Sequence, residues 1–303
     1  MTSPATRRIV PPGLRLLGGG AVLVAVLVTL GGAPFGRGLH AITLPVVAFA
    51  LAITGLTTLC SAWRWCLVAR GLGVELPLSV AIPAYYRSQF LNSVLPGGIV
   101  GDVQRAVAHG RRSGDLGRGL RAVAWERLSG QCVQVILAVL VLLAFPSPVR
   151  PVMPFVLAGM LVLLAVLAVI GPRLRLLRAA AADIRAGVLT RWTGIFAAST
   201  VVTAGHGAVF VVAARTVGSP ASYTQLIALA MLAQLAMSVP LALGGWGPRE
   251  GVTAWAFAAA GLGAASGVAV TTGYGVLALI ATLPGAAFLV RDLIGRAPVV
   301  VHG

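Results

Sequence analysis

The chain has 303 residues, 58% of them hydrophobic and 10% charged, with a mean hydropathy of +0.95 and a formal net charge of +16. That mix is far from a soluble domain's and leaves no long polar segment able to fold apart from a bilayer, so most ordinary enzyme architectures are excluded. All 23 basic residues are Arg, clustered between apolar runs as positive charge on cytoplasmic loops is, which speaks for membrane topology and against nucleic-acid binding.

Arg7, Arg8 and Arg15 precede or open the apolar run Leu14 to Gly32, long enough to cross the hydrocarbon and starting inside. A cleavable signal peptide is the competing reading, since Gly31 and Ala33 are small residues suitably placed for cleavage. Arg37 and His40 make a sparse external loop before a second span, Ile42 to about Ala62, which ends in Trp63, Arg64, Trp65 and Arg70 as an inner interface. Arg105, Arg111, Arg112, Arg118 and Arg121 form a dense basic loop, also cytoplasmic. The stretch between these two inner flanks, about 82–109, therefore reads as a re-entrant hairpin that turns at Leu95 to Gly98, with an interfacial helix as the alternative.

Val123 to Phe145 is the third span, Pro146 to Pro151 an external turn, and Val152 to Ile170 the fourth span. A basic loop from Arg173 to Arg191 follows, with an amphipathic surface helix from Leu176 to Val188. Thr193 to Ala214 is the fifth span and Gly267 to Val290 the last. Arg215 outside and Arg291 inside require an odd number of crossings, so 226–263 is expected to be a second re-entrant hairpin, entering from outside. The fold expected is all-α: a single integral domain, 1–303, with about six full spans and two broken-helix hairpins in a possible inverted repeat. Its halves are about 14–145 and 152–290, and both termini are cytoplasmic in the cell membrane.

The charged residues gather at the two breaks. Arg87, Gln89, Asn92, Pro96, Gly97, Gly98, Asp102 and Arg105 surround the first, Glu126 and Arg127 follow it, and Gly245, Arg249 and Glu250 lie at the second. An ion at membrane depth is costly unless it is paired or functional, and irregular backbone there must line protein or a watery cavity. Asp102 and Arg105 are at i,i+3 and share a helix face if the turn is helical, while the consecutive Arg249 and Glu250 need not face each other. A faint echo links the breaks: Gln89, Ser93 and Pro96-Gly97-Gly98 in the first, Gln234, Ser238, Pro240 and Gly244-Gly245 in the second. Cys60, Cys66 and Cys132 lack metal-type spacing; His40, His109 and His302 read as loop or tail residues and His206 as a core residue. No metal site or cofactor is expected.

At these residues the chain resembles the transmembrane region of lysylphosphatidylglycerol synthases, whose stand-alone members are often called flippase-like. The resemblance is carried by Arg87 to Arg105, with its Asn92, Pro96-Gly97 and Gly101-Asp102-x-x-Arg105 pattern, by Glu126-Arg127, and by Gly244 to Glu250. Fused members add a cytoplasmic domain that transfers lysine to phosphatidylglycerol, and their membrane region is implicated in moving the product. With the sequence ending at Gly303, this chain is expected to lack that domain and to act on lipids without synthesising them. What the resemblance implies is a lipid-related membrane role; guanidinium chemistry then suggests a translocator for an anionic or zwitterionic headgroup, with Arg87, Arg105 and Arg249 on the phosphate. A non-transporting partner that presents lipid to a separate transferase or synthase is the alternative, and permanent ion pairs that only lock the bundle are the bland reading. Catalysis is not expected, because no nucleophile–base pair or metal triad stands out.

Overall fold

The structure, a computed structural model, describes residues 28–29, 31–95, 98–170, 174–238 and 247–294. Those residues form helices and connecting turns, with no strands among them. Most of the first predicted span, residues 14–27 and 30, lies outside the described residues, as do Pro96, Gly97, the segment from Val239 to Trp246 with Gly245, and the tail bearing His302.

Helix α1, Ala33–His40, replaces the expected loop around Arg37 and His40. Pro34 sits in its first turn, where a missing N–H costs nothing, and Gly38 lets it close on Ala269, whose carbonyl would lie 2.4 Å from an added Cβ. Helix α2, Leu44–Gly71, runs well past the predicted end at Ala62. It therefore carries Arg64 and Trp65 into the protein interior, each at most 5% exposed, instead of leaving them at an interface. An apolar-run count stops at the first charge, but a helix continues wherever a partner satisfies that charge.

The first break is real backbone geometry. Helix α3, Leu78–Val94, ends at Leu95 in an extended conformation, and Gly98 at φ +62° precedes α4, Val100–Ser113. The two arms run antiparallel, because Asn92 meets Gly101, Ser88 meets Asp102, and Tyr85 meets Arg105. Gly101 permits the approach: an added Cβ would sit 2.1 Å from the Ser88 carbonyl oxygen. Arg111, Arg112, Arg118 and Arg121 are helical rather than loop residues. Only Gly114, at φ +73°, and Asp115, which caps α5 by accepting from the Arg118 N–H, separate α4 from Leu116–Ala144.

Helix α6, Met153–Ile170, packs on α5 and leaves most of its apolar surface outward, while α7, Arg175–Gly187, is the predicted amphipathic helix. Helix α7 closes on the end of α2, where Gly71 faces the backbone of Ala186 and Gly187. Asp183 of α7 accepts from Trp125 at 3.1 Å and pairs with Arg121 at 3.2 Å, so the arginine-rich ends of α4, α5 and α7 share one end of the bundle. Helix α8, Trp192–Thr216, lies antiparallel to α2, with Gly205 opposite Thr57 and Ser199 opposite Arg64.

The second interrupted segment comprises α9, Tyr223–Met237, and α10, Pro248–Ala259, packed on each other on either side of residues 238–247. Ser222 caps α9, and most of that helix is buried in the main apolar core with α8, α10 and α11. The predicted last span lies within one membrane-length apolar stretch, Ala264–Asp292, which comprises two consecutive helices: α11, Ala264–Thr282, and α12, Pro284–Ile294. Pro284 has no N–H for the helix ladder, which is interrupted at Leu283, and α12 packs on α3, with Gly285 against the Tyr86 carbonyl. In both halves the order is long helix, short arm, break, short arm, long helix: α2 to α5, then α8 to α11. Five stretches among the described residues are long and apolar enough to cross a membrane.

Candidate functional site

A cavity of about 350 Å³ lies where α2, α3, α4, α5, α8, α9, α10 and α11 meet. Four of the wall helices present polar residues at helical spacing on a largely apolar cylinder: Thr54, Ser61 and Arg64 on α2, and Tyr85, Ser88, Gln89 and Asn92 on α3. On α5 the stripe is Arg127, Gln131 and Gln134, and on α8 it is Ser199, Thr203 and His206. Residues at i, i+3/i+4 and i+7 share one face, so these helices turn their polar stripe inward and their apolar surface outward. That inversion of a soluble bundle's pattern is what creates a polar interior in an apolar chain.

The floor beneath the first hairpin is a cluster of ions. Glu126 on α5, fully buried, accepts from Arg64 Nη2 at 2.6 Å and Nε at 3.0 Å, from Tyr85 Oη at 3.2 Å, and from Arg105 Nη2 at 2.9 Å. Arg64 also donates to Ser199 at 2.9 Å, so α2, α3, α4, α5 and α8 converge on a few atoms. Gly130 makes room for this, since an added Cβ there would lie 2.7 Å from the Arg64 guanidinium. Asp102 accepts from Ser88 at 3.1 Å, Asn92 at 2.8 Å, Arg105 at 3.0 Å and Arg127. The expected i,i+3 pairing of Asp102 with Arg105 is thus made on a helical turn. Arg105 Nε and Nη1 have no hydrogen-bond acceptor; its guanidinium lies 4.2 Å from the Tyr85 ring and 4.5 Å from the Trp65 ring. The ring faces supply the attraction that acceptors do not.

The second cluster is compact. Arg249 Nε donates to Glu250 at 2.9 Å, and the other Glu250 oxygen accepts the Gly247 N–H at 2.6 Å. Neighbours on a helix point about 100° apart. They pair here because Glu250, in the first turn, reaches back toward Gly247, which is at φ +113°, and the long Arg249 side chain follows it. Arg249 also lies 5.4 Å from the Tyr274 ring and lines the cavity.

Of the residues singled out in the sequence, Gln89, Asn92, Gly98, Asp102, Arg127 and Arg249 line this one cavity, although they come from both halves of the chain. Arg105, Glu126 and Glu250 lie behind its wall and hold the lining residues in place. Arg87 does not line it; its guanidinium pairs with Asp292 on α12. The echo residues Gln89, Ser93, Gln234 and Ser238 all reach the cavity, with Gln89 accepting from Thr58 at 2.9 Å and Gln234 donating to the Thr203 carbonyl at 3.3 Å. Ser238 donates to Gln131 at 3.0 Å, which ties the second hairpin to α5.

Sequence reasoning missed Arg64, Tyr85, Ser88, Gln131, Gln134, Ser199, Thr203 and Tyr274. The polar stripes on α2, α3, α5 and α8 are the signal that marks most of them. His109, read as a loop residue, is buried on α4 with its ring 5.2 Å from that of Trp65. His206, read as core, lines the cavity within 3.5 Å of the Tyr274 hydroxyl. Among the described residues no group of three or more His, Cys, Asp or Glu is placed to hold a metal ion.

A helical bundle with several membrane-length apolar helices and an ion-lined interior cavity defines a multi-pass membrane protein. The chain belongs to the family described as the lysylphosphatidylglycerol synthase TM region, whose sequence profile matches residues 14–285. Family membership relates it to lipid handling. No curated protein matches the chain in sequence.

Proposed function

We propose that the protein receives the headgroup of a membrane lipid in this cavity and moves it between leaflets, as a flippase-like translocator and not as an enzyme. The observation that carries the reading is the meeting of both interrupted segments at one cavity, where guanidinium groups, amides and hydroxyls from the two halves face each other. A headgroup crossing hydrocarbon must exchange water for such partners, and a guanidinium matches phosphate oxygens with paired donors. Family membership supports the lipid, and the repeated order of arms and breaks supports an arrangement in which the hairpins enter from opposite sides.

The same reading places the protein in the cell membrane with the arginine-rich end, Arg111, Arg121 and Arg178 included, in the cytoplasm and Pro148 outside. Tags at Arg111 and Arg178 should report cytoplasm, and one at Pro148 the exterior.

The test is purified protein in liposomes carrying lipids labelled on an acyl chain, with leaflet exchange followed over time. Wild type is expected to speed exchange, and Asp102→Asn, Arg105→Ala and Glu250→Gln to slow it by at least about tenfold, or about 1.4 kcal/mol of barrier. Well-folded protein that binds lipid without speeding exchange would instead be the non-transporting partner of a separate transferase. Well-folded protein that neither binds nor moves lipid ends both readings.

A further inference from the structure

We propose that the cavity binds a proton as a second ligand, taken up at His206 together with the phosphate of the headgroup. This deepens the lipid-handling reading and rests on it. The first ground is the inventory of the wall. Beside His206, the ionisable groups that line the cavity among the described residues are Arg64, Arg127, Arg249, Asp102, Tyr85 and Tyr274. Guanidinium groups and phenols titrate well above neutral pH and carboxylates well below it, so the imidazole is the wall group whose charge changes between about pH 5 and 8. The other described histidines do not reach this wall: His109 packs on Trp65, and His40 is the last residue of α1.

The second ground is that a charged His206 has no standing counter-ion. All seven acidic residues of the chain lie among the described residues. Asp102 is held by Arg105 and Arg127, Glu126 by Arg64 and Arg105, and Glu250 by Arg249. Asp292 pairs with Arg87, while Glu75, Asp115 and Asp183 sit at the arginine-rich end. The elements packed on α8 bring His206 no free carboxylate either. From α2 comes Arg64, bonded to Ser199 two turns away; from α5, Arg127 on the same cavity; and from α9, the Gln234 amide. Helix α11 brings Tyr274, with Arg249 of α10 at 5.4 Å from its ring, and Arg191 of the turn 189–191 lies at the exposed end. The counter-charge of an imidazolium must therefore enter with the cargo, and phosphate is the charge that every phospholipid headgroup carries. A proton on His206 and a phosphate in the cavity attract each other, so each favours the uptake of the other by the same factor.

The third ground is hydrogen-bond chemistry. His206 Nδ1 lies within 3.5 Å of the Tyr274 hydroxyl. A neutral imidazole accepts at one nitrogen, and a protonated one donates from both. On protonation Nδ1–H donates to the Tyr274 oxygen, which frees the phenol proton to donate elsewhere, and Nε2–H is a second donor. The pair then offers donors only, as phosphate oxygens require, beside the Arg249 guanidinium that also lines the cavity. Cargo that leaves on the far side releases the proton there, so a pH difference across the membrane would bias the direction of lipid movement.

The test uses the full chain in weakly buffered detergent, titrated with dioctanoyl phosphatidylglycerol and dioctanoyl phosphatidylcholine, whose phosphodiesters do not themselves titrate near neutral pH. Binding is read from the shift of the melting midpoint, and proton uptake from a pH-indicator dye. Wild type is expected to take up protons as it binds, and to bind at least about threefold more tightly at pH 6 than at pH 8. His206→Gln keeps a neutral donor and acceptor at every pH, so it should fold, take up no protons and bind equally at both. His109→Gln should behave as wild type. If lipid binds with no proton uptake, or uptake survives His206→Gln, the inference is overturned while the lipid reading stands. Uptake lost in His109→Gln and kept in His206→Gln would overturn it in the same way. If neither lipid shifts the midpoint at either pH, the lipid reading falls and takes this inference with it.

Discussion

The two ion clusters flank the same cavity but are built on opposite plans. Around Glu126, side chains from α2, α3, α4 and α5 meet, and Arg64 carries the connection on to Ser199 of α8, so contacts far apart in sequence converge on one carboxylate. Around Glu250, the pairing joins Gly247, Arg249 and Glu250, neighbours in a single turn of α10. A long-range cluster makes the placement of each helix depend on the others, whereas a pairing within one turn fixes the start of a single helix and reaches α11 through the Arg249 guanidinium, 5.4 Å from the Tyr274 ring. The first half of the molecule is therefore expected to be the braced half, and the second the half in which an arm can shift while its charges stay paired.

Removing the centre of the braced cluster should have the largest effect. Glu126→Ala leaves Arg64 and Arg105 buried without the carboxylate they share, and breaking a buried pair in this way costs about 3–5 kcal/mol. We expect a large fall in yield and melting midpoint, with hydrogen exchange rising across α2 to α5 together. A variant that melts like wild type would show that the network does not brace the fold. Glu250→Gln should cost less, about 1.5–3 kcal/mol for the lost charged hydrogen bonds, because Arg249 already lines the cavity and can turn toward it. Exchange should rise mainly in the first turns of α10. Equal and equally widespread losses from the two substitutions would erase the contrast between the halves.

How much of this was legible in the chain follows from the same contrast. The Leu95 to Gly98 break and the i,i+3 pair Asp102 and Arg105 are local, and local spacing reveals them. Glu126 was visible as a charge in an apolar run, but its main partner Arg64 was not. Arg64 lies 62 residues earlier, beyond an apparent helix end, and the gap that receives it is made by Gly130 on another helix. Arg87 misled for the opposite reason: it lies among the cavity residues in sequence, yet its direction on α3 takes it to Asp292, on a helix whose separation from α11 depends on Pro284. The pairing of Arg249 with Glu250 runs against helix spacing and depends on a glycine conformation that sequence does not state.

Packing between the arms offers a finer test. In the first hairpin Gly101 lies against the Ser88 backbone, so Gly101→Ala must push α3 and α4 apart. In the second half the corresponding close approach is between an arm and the next long helix: an added Cβ at Gly267 would lie 2.6 Å from the Thr253 carbonyl of α10. Overpacking of this kind costs about 1–3 kcal/mol. Gly101→Ala should also disturb the cavity, since the Gly101 N–H donates to Asn92, which in turn holds Asp102. Lipid exchange should therefore slow more for Gly101→Ala than for Gly267→Ala at equal loss of melting midpoint. The reverse order would move the functional weight to the second half.

The smallest effect is expected at the Arg87–Asp292 ion pair, which ties the first hairpin to α12. Asp292 is 36% exposed at its side chain, and a pair open to solvent contributes about 0–1 kcal/mol. Arg87→Ala, Asp292→Asn and the double variant should melt within a few degrees of one another, a spread consistent with about 1 kcal/mol. Their use lies in exchange rate, not stability. Helix α12 also meets α3 at Gly285 and Tyr86, and Ser93 of α3 lies within 3.3 Å of Thr282 at the end of α11. If α3 must part from this corner for a headgroup to pass, loosening the Arg87–Asp292 tie should leave melting nearly unchanged and speed lipid exchange. If the corner stays closed and the second hairpin moves instead, the same variants should exchange lipid at the wild-type rate, which is the outcome the division into a braced half and a mobile half requires.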